Sequence, residues 1–134
     1  MNTQFSVAIH ILTLLATEQE PVSSQYIASS INSNATLVRK ICRFLKEGNL
    51  IDSSQGVSGY SLKQPATSIF LGQVFQIIFD EETHFAKIHG NTNPDCFVGK
   101  NISSALDSIY SEVDQTILNQ LNHYSIQDVI NHFN

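Results

Sequence analysis

The sequence predicts a mainly α-helical protein with a small β-hairpin. Apolar residues in its first segment recur at the i, i+3, i+4, i+7 spacing of an amphipathic helix. Two short alternating runs around a glycine-bearing turn follow the third helical segment, which is typical of a hairpin. A long apolar stripe then occupies the C-terminal third. The 134 residues suit one domain with a small appendage.

The first two predicted helices are separated by a proline-containing loop. Apolar positions over residues 5–16 predict the first helix, and Pro21 ends it or begins the loop. His10 interrupts the face of this helix, and we expect it to be a partly buried structural residue. Ser23 and Ser24 offer N-caps for the second helix.

The third helix is predicted over Ala35–Glu47, after a polar turn at residues 32–34. Its apolar stripe consists of Val38, Ile41, Cys42 and Leu45. Gly48 follows in the position where a left-handed C-cap is wanted. Short strands around residues 50–51 and 60–62 then form the hairpin. Three helices followed by a hairpin describe a winged helix-turn-helix domain.

The rest of the chain is predicted to connect and extend this domain. A fourth helix with apolar residues between 69 and 78 follows Pro65, and a polar segment comes next. A long helix of roughly 30 Å over residues 102–121 and a short closing helix capped by Ser125 complete the chain. We therefore predict a winged helix-turn-helix domain at 1–79, an irregular linker or sensor segment at 80–101, and a dimerisation helix with a closing helix at 102–134.

Charge is distributed unevenly along the chain. Residues 23–63 hold five of the seven basic side chains and two acidic ones, which gives this stretch a net charge of +3. The remaining residues carry −8, and the whole chain −5. Such asymmetry favours one face that meets a polyanion, although a solvated helix with clustered charges is the alternative.

The basic side chains of the third helix predict contact with double-stranded DNA. An α-helix fits the major groove, with its N-terminal half towards the bases, and a wing can lie along the backbone. The residues predicted to contact DNA are Ser24, Asn34, Thr36, Arg39, Lys40, Arg43, Gly56, Ser58, Gly59 and Lys63.

The long helix is predicted to pair with a second copy of the chain. Its stripe consists of Ile102, Leu106, Ile109, Val113, Ile117 and Leu121. Little of the chain remains to cover it, and an uncovered stripe would be a large exposed patch. Burial within the same chain is the alternative. A homodimer would set two recognition helices about 34 Å apart, or a multiple of that distance.

The two cysteines are expected to differ. Cys42 lies on an apolar stripe, so we expect it to be an inert buried thiol. Cys96 lies in a polar segment and is a candidate redox sensor. His84, His89 and Cys96 match no standard metal spacing, so we predict no metal site and no cofactor. No nucleophile–base pair or phosphate-binding glycine loop is found, so we do not expect an enzyme. The sequence shows no signal peptide or membrane span, so we expect a cytoplasmic protein without a membrane partner.

Several motifs give the chain a resemblance to the Rrf-two family of bacterial transcriptional regulators. They are SQYIA (24–28), NATLVRKI (34–41), LKEGNLI (45–51), GVSGYSL (56–62), IFLGQVF (69–75) and SIQDV (125–129). The NPDCFVG stretch at 93–99 further resembles the YwnA-like branch of that family. The resemblance implies a homodimeric DNA-binding regulator that is joined through its long helix and binds a palindromic operator.

The chain also departs from the family pattern. Many members hold an iron–sulfur cluster through three cysteines after the wing, where this chain has Cys96 alone. Ala35 stands where the family often has proline, and Ser61 where it usually has a basic residue, which implies a weaker wing contact. We expect a repressor; the alternative is a winged-helix module that binds an acidic protein. Three alternatives stay open for what regulates the protein: oxidation of Cys96, a small ligand between the wing domain and the long helix, or no effector at all.

Overall fold

The computed structural model describes residues 3–53, 59–80 and 83–133. Within these ranges the elements are α1 (Gln4–Thr17), α2 (Ser24–Ile31), α3 (Ala35–Glu47), β1 (Ile51–Ser53), β2 (Tyr60–Leu62), α4 (Leu71–Ile78), α5 (Phe97–Leu121) and α6 (Ile126–Asn131), with a 3-10 helix at Ala66–Ser68. This order confirms the predicted mainly α fold with a hairpin wing and a long C-terminal helix.

Side-chain caps set the positions of α2 and α3. Ser23 Oγ accepts a hydrogen bond from the Tyr26 amide at 3.1 Å, and Asn34 Oδ1 accepts one from the Leu37 amide at 2.9 Å. Between the helices Asn32 adopts a left-handed conformation with φ of 60°. Asparagine tolerates this region better than most residues, so it ends α2 and turns the chain into α3.

The end of α3 differs from the prediction that Gly48 is the left-handed cap. Gly48 has φ of −81°, and the next residue, Asn49, takes the left-handed position with φ of 63°. The amides of Asn49 and Leu50 donate to the carbonyls of Lys46 and Leu45, both at 3.0 Å, which is the Schellman arrangement. Gly48 also packs closely against α4, because a Cβ at this position would require the end of the Ile77 side chain to shift.

Helix α1 lies at the centre of the core and packs against α3, α4, α6 and β2. Its Ile11 and Leu12 are fully buried, together with Ile41 and Leu45 of α3. The expectation for His10 was wrong, because its side chain is exposed and its Nε2 lies 2.9 Å from the Ser30 hydroxyl.

The wing is a two-stranded antiparallel sheet that is fastened to the loop after α1. Ile51 pairs with Leu62, and Ser53 pairs with Tyr60. The backbones of Tyr60 and Val22 also exchange two hydrogen bonds of 2.8 and 2.9 Å. The base of the wing is therefore held on both sides.

The C-terminal elements differ from the prediction at one boundary, the start of α5, and the closing helix is capped by Ser125 as predicted. Helix α5 begins at Phe97, five residues before the expected start at 102, because Cys96 takes the N-cap position. Helix α6 packs against α1, and its Ile126 is fully buried in the core of the N-terminal helices. Among the described residues, no helix is both long enough and apolar enough to span a membrane.

Candidate DNA interface and dimer face

Helix α3 divides into a buried side and an exposed basic side. Val38, Ile41, Cys42 and Leu45 are fully buried, as their spacing predicted. On the opposite side the structure exposes the predicted side chains Thr36, Arg39, Lys40 and Arg43. Asn34 is also exposed, but its Oδ1 is occupied as the N-cap of α3. Asn34 therefore has a structural role, which leaves its amide NH₂ for any contact with DNA.

An aromatic ring supports two of these cations. The Arg43 Cζ atom lies 5.3 Å from the centre of the half-buried Phe44 ring, and the Lys40 Nζ atom lies 6.0 Å from it. Cations at this distance are attracted to the face of an aromatic ring. Both positive charges therefore lie near one aromatic ring of α3.

The N-terminus of α2, the first turns of α3 and the base of the wing line one groove. Its lining includes the predicted residues Ser24, Arg39 and Gly59, and it also includes Gln25 and Tyr60. Burial raises the pKa of the Tyr60 phenol, and the positive charge of Arg39 opposes that rise. The sequence reasoning missed Gln25 and Tyr60 as site residues; their place beside Ser24 and Gly59 in the motifs was the available signal.

Gly59 has a structural role at the base of the wing. Its φ of 155° is rare for residues with a side chain, and an added Cβ would lie 2.9 Å from the Pro21 carbonyl carbon. This close approach allows the backbone pairing of Val22 with Tyr60. The predicted wing residues Gly56 and Ser58 lie outside the described residues.

Two further lysines lie near the wing. Lys63 is exposed just after β2, and its backbone amide donates to the Leu50 carbonyl at 3.0 Å. Lys46 on α3 donates from Nζ to the Ser53 hydroxyl on β1 at 2.7 Å. Lys46 thereby joins the C-terminal turn of α3 to the wing.

The predicted apolar stripe of α5 is only partly covered by its own chain. Ile109 is 54% exposed and Val113 is 37% exposed, and the helix has no buried residue. The other stripe residues are half-buried: Ile102, Leu106, Ile117 and Leu121. Beside the stripe, Asp107, Tyr110 and Asp114 of α5 contact residues 84 and 85 of the preceding segment.

The two thiols have the contrasting environments that were predicted. Burial raises the pKa of Cys42 to about 12, which keeps it a neutral thiol. Cys96 is exposed, and its Sγ accepts a long hydrogen bond of 3.5 Å from the Gly99 amide at the start of α5. Across the described ranges, no group of three or more histidine, cysteine or acidic side chains is arranged to hold a metal ion.

Comparison with protein families gives a match along almost the whole chain. A model of the Rrf2 family, described as iron-dependent transcriptional regulators, matches residues 1–132. The donor set of this chain does not fit an iron–sulfur cluster. Of its two thiols, Cys42 is buried in the core and Cys96 is exposed at the N-cap of α5, and a cluster requires several thiolates together.

Individual relatives agree with this match. The chain is 40% identical over 132 residues, 98% of either chain, to the "Putative HTH-type transcriptional regulator YwnA" of Bacillus subtilis strain 168. A crystal structure described as that of "a putative DNA binding protein" is 35% identical, with a TM-score of 0.77 over 95% of this chain and 98% of that one. CymR, the global cysteine regulator of B. subtilis, shares the fold, with 16% identity and a TM-score of 0.72 over 100% and 98% of the two chains. The chain therefore belongs to the Rrf2 family of transcriptional regulators.

Proposed function

We propose that the protein is a homodimeric repressor that binds a palindromic operator. The observation that carries the proposal is the combination of an exposed basic face on α3 with a partly exposed apolar stripe on α5. Such a repressor acts by occupying a promoter, which needs no catalytic group.

The proposed DNA contact uses three neighbouring parts of the N-terminal domain. Helix α3 enters the major groove with Thr36 and Arg39 towards the bases, while Lys40 and Arg43 pair with phosphates. Ser24, at the start of α2, and Lys63, beside the wing, bind the flanking backbone. This division is supported by the exposure of the α3 side chains and by the shared groove that joins Ser24 to Arg39.

The proposed dimer is formed by α5 of two chains. Pairing of two stripes removes Ile109 and Val113 from water, which stabilises association by about 25 cal/mol for each Å² of apolar surface buried. A two-fold axis then relates the two α3 helices, so the operator half-sites are inverted repeats.

The proposal includes two routes by which a signal changes DNA binding. Oxidation of the exposed Cys96 thiol at the start of α5 is one route. A small ligand in the cleft between α4 and α5, whose walls include Phe75, Phe79 and Leu118, is the other. Oxidant-sensitive DNA binding that disappears in Cys96→Ser supports the first route, and sensitivity that survives in this variant excludes it.

Selection of bound duplexes from a random DNA pool tests the proposal. It is carried out with the reduced protein at moderate salt, with an Arg39→Ala/Arg43→Ala double variant as the matched control. We expect the wild-type protein to recover a palindromic motif and the double variant to recover none. The mass of the complex on a single recovered site, from sedimentation, should correspond to two chains.

Other outcomes are equally informative. Recovery of a motif without two-fold symmetry contradicts the palindromic operator. Absence of a motif in both the reduced and the oxidised protein contradicts sequence-specific binding. A stable complex with an acidic cellular protein would then favour the winged-helix interaction module.

A further inference from the structure

His84 is held between two carboxylates of α5. Its Nδ1 atom lies 2.5 Å from Oδ2 of Asp114, and its Nε2 atom lies 2.8 Å from Oδ1 of Asp107. The histidine belongs to the irregular segment after α4, and its partners are 30 and 23 residues further along the chain. The three side chains therefore join two distant parts of the sequence.

The geometry specifies which protons the imidazole carries. An ionised carboxylate can only accept hydrogen bonds, whereas a neutral imidazole has a single N–H to donate. Both ring nitrogens of His84 contact a carboxylate oxygen, so two donated hydrogen bonds require a proton on each nitrogen. The arrangement is complete only with an imidazolium.

Neighbouring groups orient this cluster. The Tyr110 ring meets the His84 imidazole edge-on, with ring centres 5.8 Å apart, and it also packs against Phe85 at 4.9 Å. The Phe85 amide donates to Oδ1 of Asp114 at 2.7 Å, so this carboxylate holds both the side chain and the backbone of the segment.

The charges around His84 are dominated by acids. Asp107 and Asp114 face it from α5, and the Tyr110 ring lies beside it. On its own segment, Thr83 donates to Asp80 at 2.7 Å, and Asp80 lines the same cleft as Asp114. The imidazolium thus offsets one of the negative charges collected at this point.

We propose that His84 is a proton-dependent clamp that holds residues 84 and 85 against α5. With the proton bound, the clamp makes both carboxylate contacts. When the proton leaves, one nitrogen faces a carboxylate without a hydrogen, and that contact becomes repulsive. The proposal is independent of DNA binding, because it concerns contacts within one chain.

The direction of the pH dependence follows from the carboxylates. The hydrogen bonds that the imidazolium donates to Asp114, and then to Asp107, raise the pKa of His84 above its ordinary value. The clamp is therefore complete below the ordinary histidine pKa of about 6.5 and opens as the pH rises through the elevated pKa of the folded protein.

NMR on the full chain tests the clamp with two readouts. The first is the titration of each histidine ring, and the second is hydrogen exchange of the Phe85 amide, corrected for its intrinsic pH dependence. We expect His84 to titrate above the ordinary histidine pKa of about 6.5. We also expect Phe85 exchange to accelerate roughly tenfold as His84 deprotonates, the equivalent of one charge-assisted hydrogen bond.

Variants separate the clamp from general effects of pH. Asp107→Asn and Asp114→Asn should each lower the His84 midpoint, and His89→Gln should leave both readouts unchanged. His84→Gln should remove the pH step at Phe85. If that variant does not fold, Asp107→Asn decides, because its exchange step must shift to lower pH together with the imidazole. A His84 midpoint at or below the ordinary histidine pKa, or the same step in His84→Gln, overturns the proposal.

Discussion

Arg39 and Arg43 lie on the same exposed face of α3 but have different neighbours. Arg39 lines the groove with Tyr60 at the base of the wing, whereas Arg43 lies against the Phe44 ring. Both guanidinium groups are available to a phosphate or to a guanine edge. Their separate surroundings make single substitutions at these positions informative about different parts of the DNA contact.

We expect Arg39→Ala and Arg43→Ala each to weaken specific DNA binding. Where the lost contact is to a phosphate, the slope of log affinity against log salt should become shallower by about one unit. Where it is to a base, discrimination at one operator position should be lost at a cost of about 1–3 kcal/mol, with little change in slope. Fluorescence anisotropy over a salt series measures both quantities.

Lys87→Ala is the control for these variants, since it removes an exposed positive charge from the segment before α5. It should bind like the wild-type protein. Unchanged affinity in both arginine variants would show that the DNA contact lies elsewhere.

Glycines at two positions should respond differently to the same substitution. Gly59→Ala forces a Cβ towards the Pro21 backbone at an unfavourable φ, so we expect a loss of about 1–3 kcal/mol of unfolding free energy. Gly90→Ala meets nothing within 4 Å and should change stability by less than about 0.5 kcal/mol. Urea unfolding monitored by circular dichroism measures both values, and equal losses would contradict this explanation of the wing base.

At the scale of single elements, α5 carries the clearest prediction. Ile109→Glu places a charge at an exposed position of the apolar stripe of α5, so a dimer formed through this stripe should dissociate. We expect sedimentation at micromolar concentration to give a monomer for Ile109→Glu and a dimer for the wild-type chain. Circular dichroism should show that the variant keeps its helices, because the side chain is already half exposed in the single chain.

Ser104→Glu is the matched variant for that experiment. Ser104 is exposed on α5 and lies about 140° around the helix from Ile109, so the same charge is added away from the stripe. This variant should remain a dimer. Dissociation of both variants, or of neither, would show that the stripe is not the dimer seam.

The elements differ in how far local sequence determined them. The bounds of α3 agree with the prediction because its stripe and its N-cap, Asn34, are encoded within a few residues. Its C-terminal cap was assigned to Gly48 although Asn49 supplies the left-handed residue. Gly48 packs against Ile77, which lies 29 positions further along the chain. A local sequence pattern does not contain such a neighbour.

The same limit applies to the functional residues. The exposed cations of α3 could be predicted because helical spacing alone separates them from the buried stripe. The clamp at His84 could not be predicted, since its two partners lie 23 and 30 residues further along the chain. Tyr60 shows both effects: the motif indicated its strand, but only the fold brings it beside Arg39.

At the scale of the whole molecule, the two ends of the chain are parts of one core. Ile126 of α6 is fully buried against the N-terminal helices, and its amide donates to the Ile69 carbonyl at 2.8 Å. The Leu71 amide likewise donates to the Tyr124 carbonyl at 2.8 Å. The residues that follow α5 therefore return to the domain that carries α3.

This return predicts that Ile126→Ala destabilises the whole molecule. Removal of a buried isoleucine side chain costs about 2–5 kcal/mol. The half-buried Ile130 of the same helix provides the comparison, and Ile130→Ala should cost less. Thermal unfolding should remain a single transition in both variants. A separate early transition in Ile126→Ala would show that α6 unfolds independently of the rest.

The length of α5 has a mechanical consequence for the proposed dimer. Its 25 residues span about 37 Å, so a rotation of only about 5° at one end moves the other by roughly 3 Å. That displacement is close to the rise of one base pair, about 3.4 Å. A small tilt of one α5 against its partner would therefore change the preferred spacing of the half-sites by one base pair. In the proposed dimer this helix sets the distance between the half-sites as well as forming the interface.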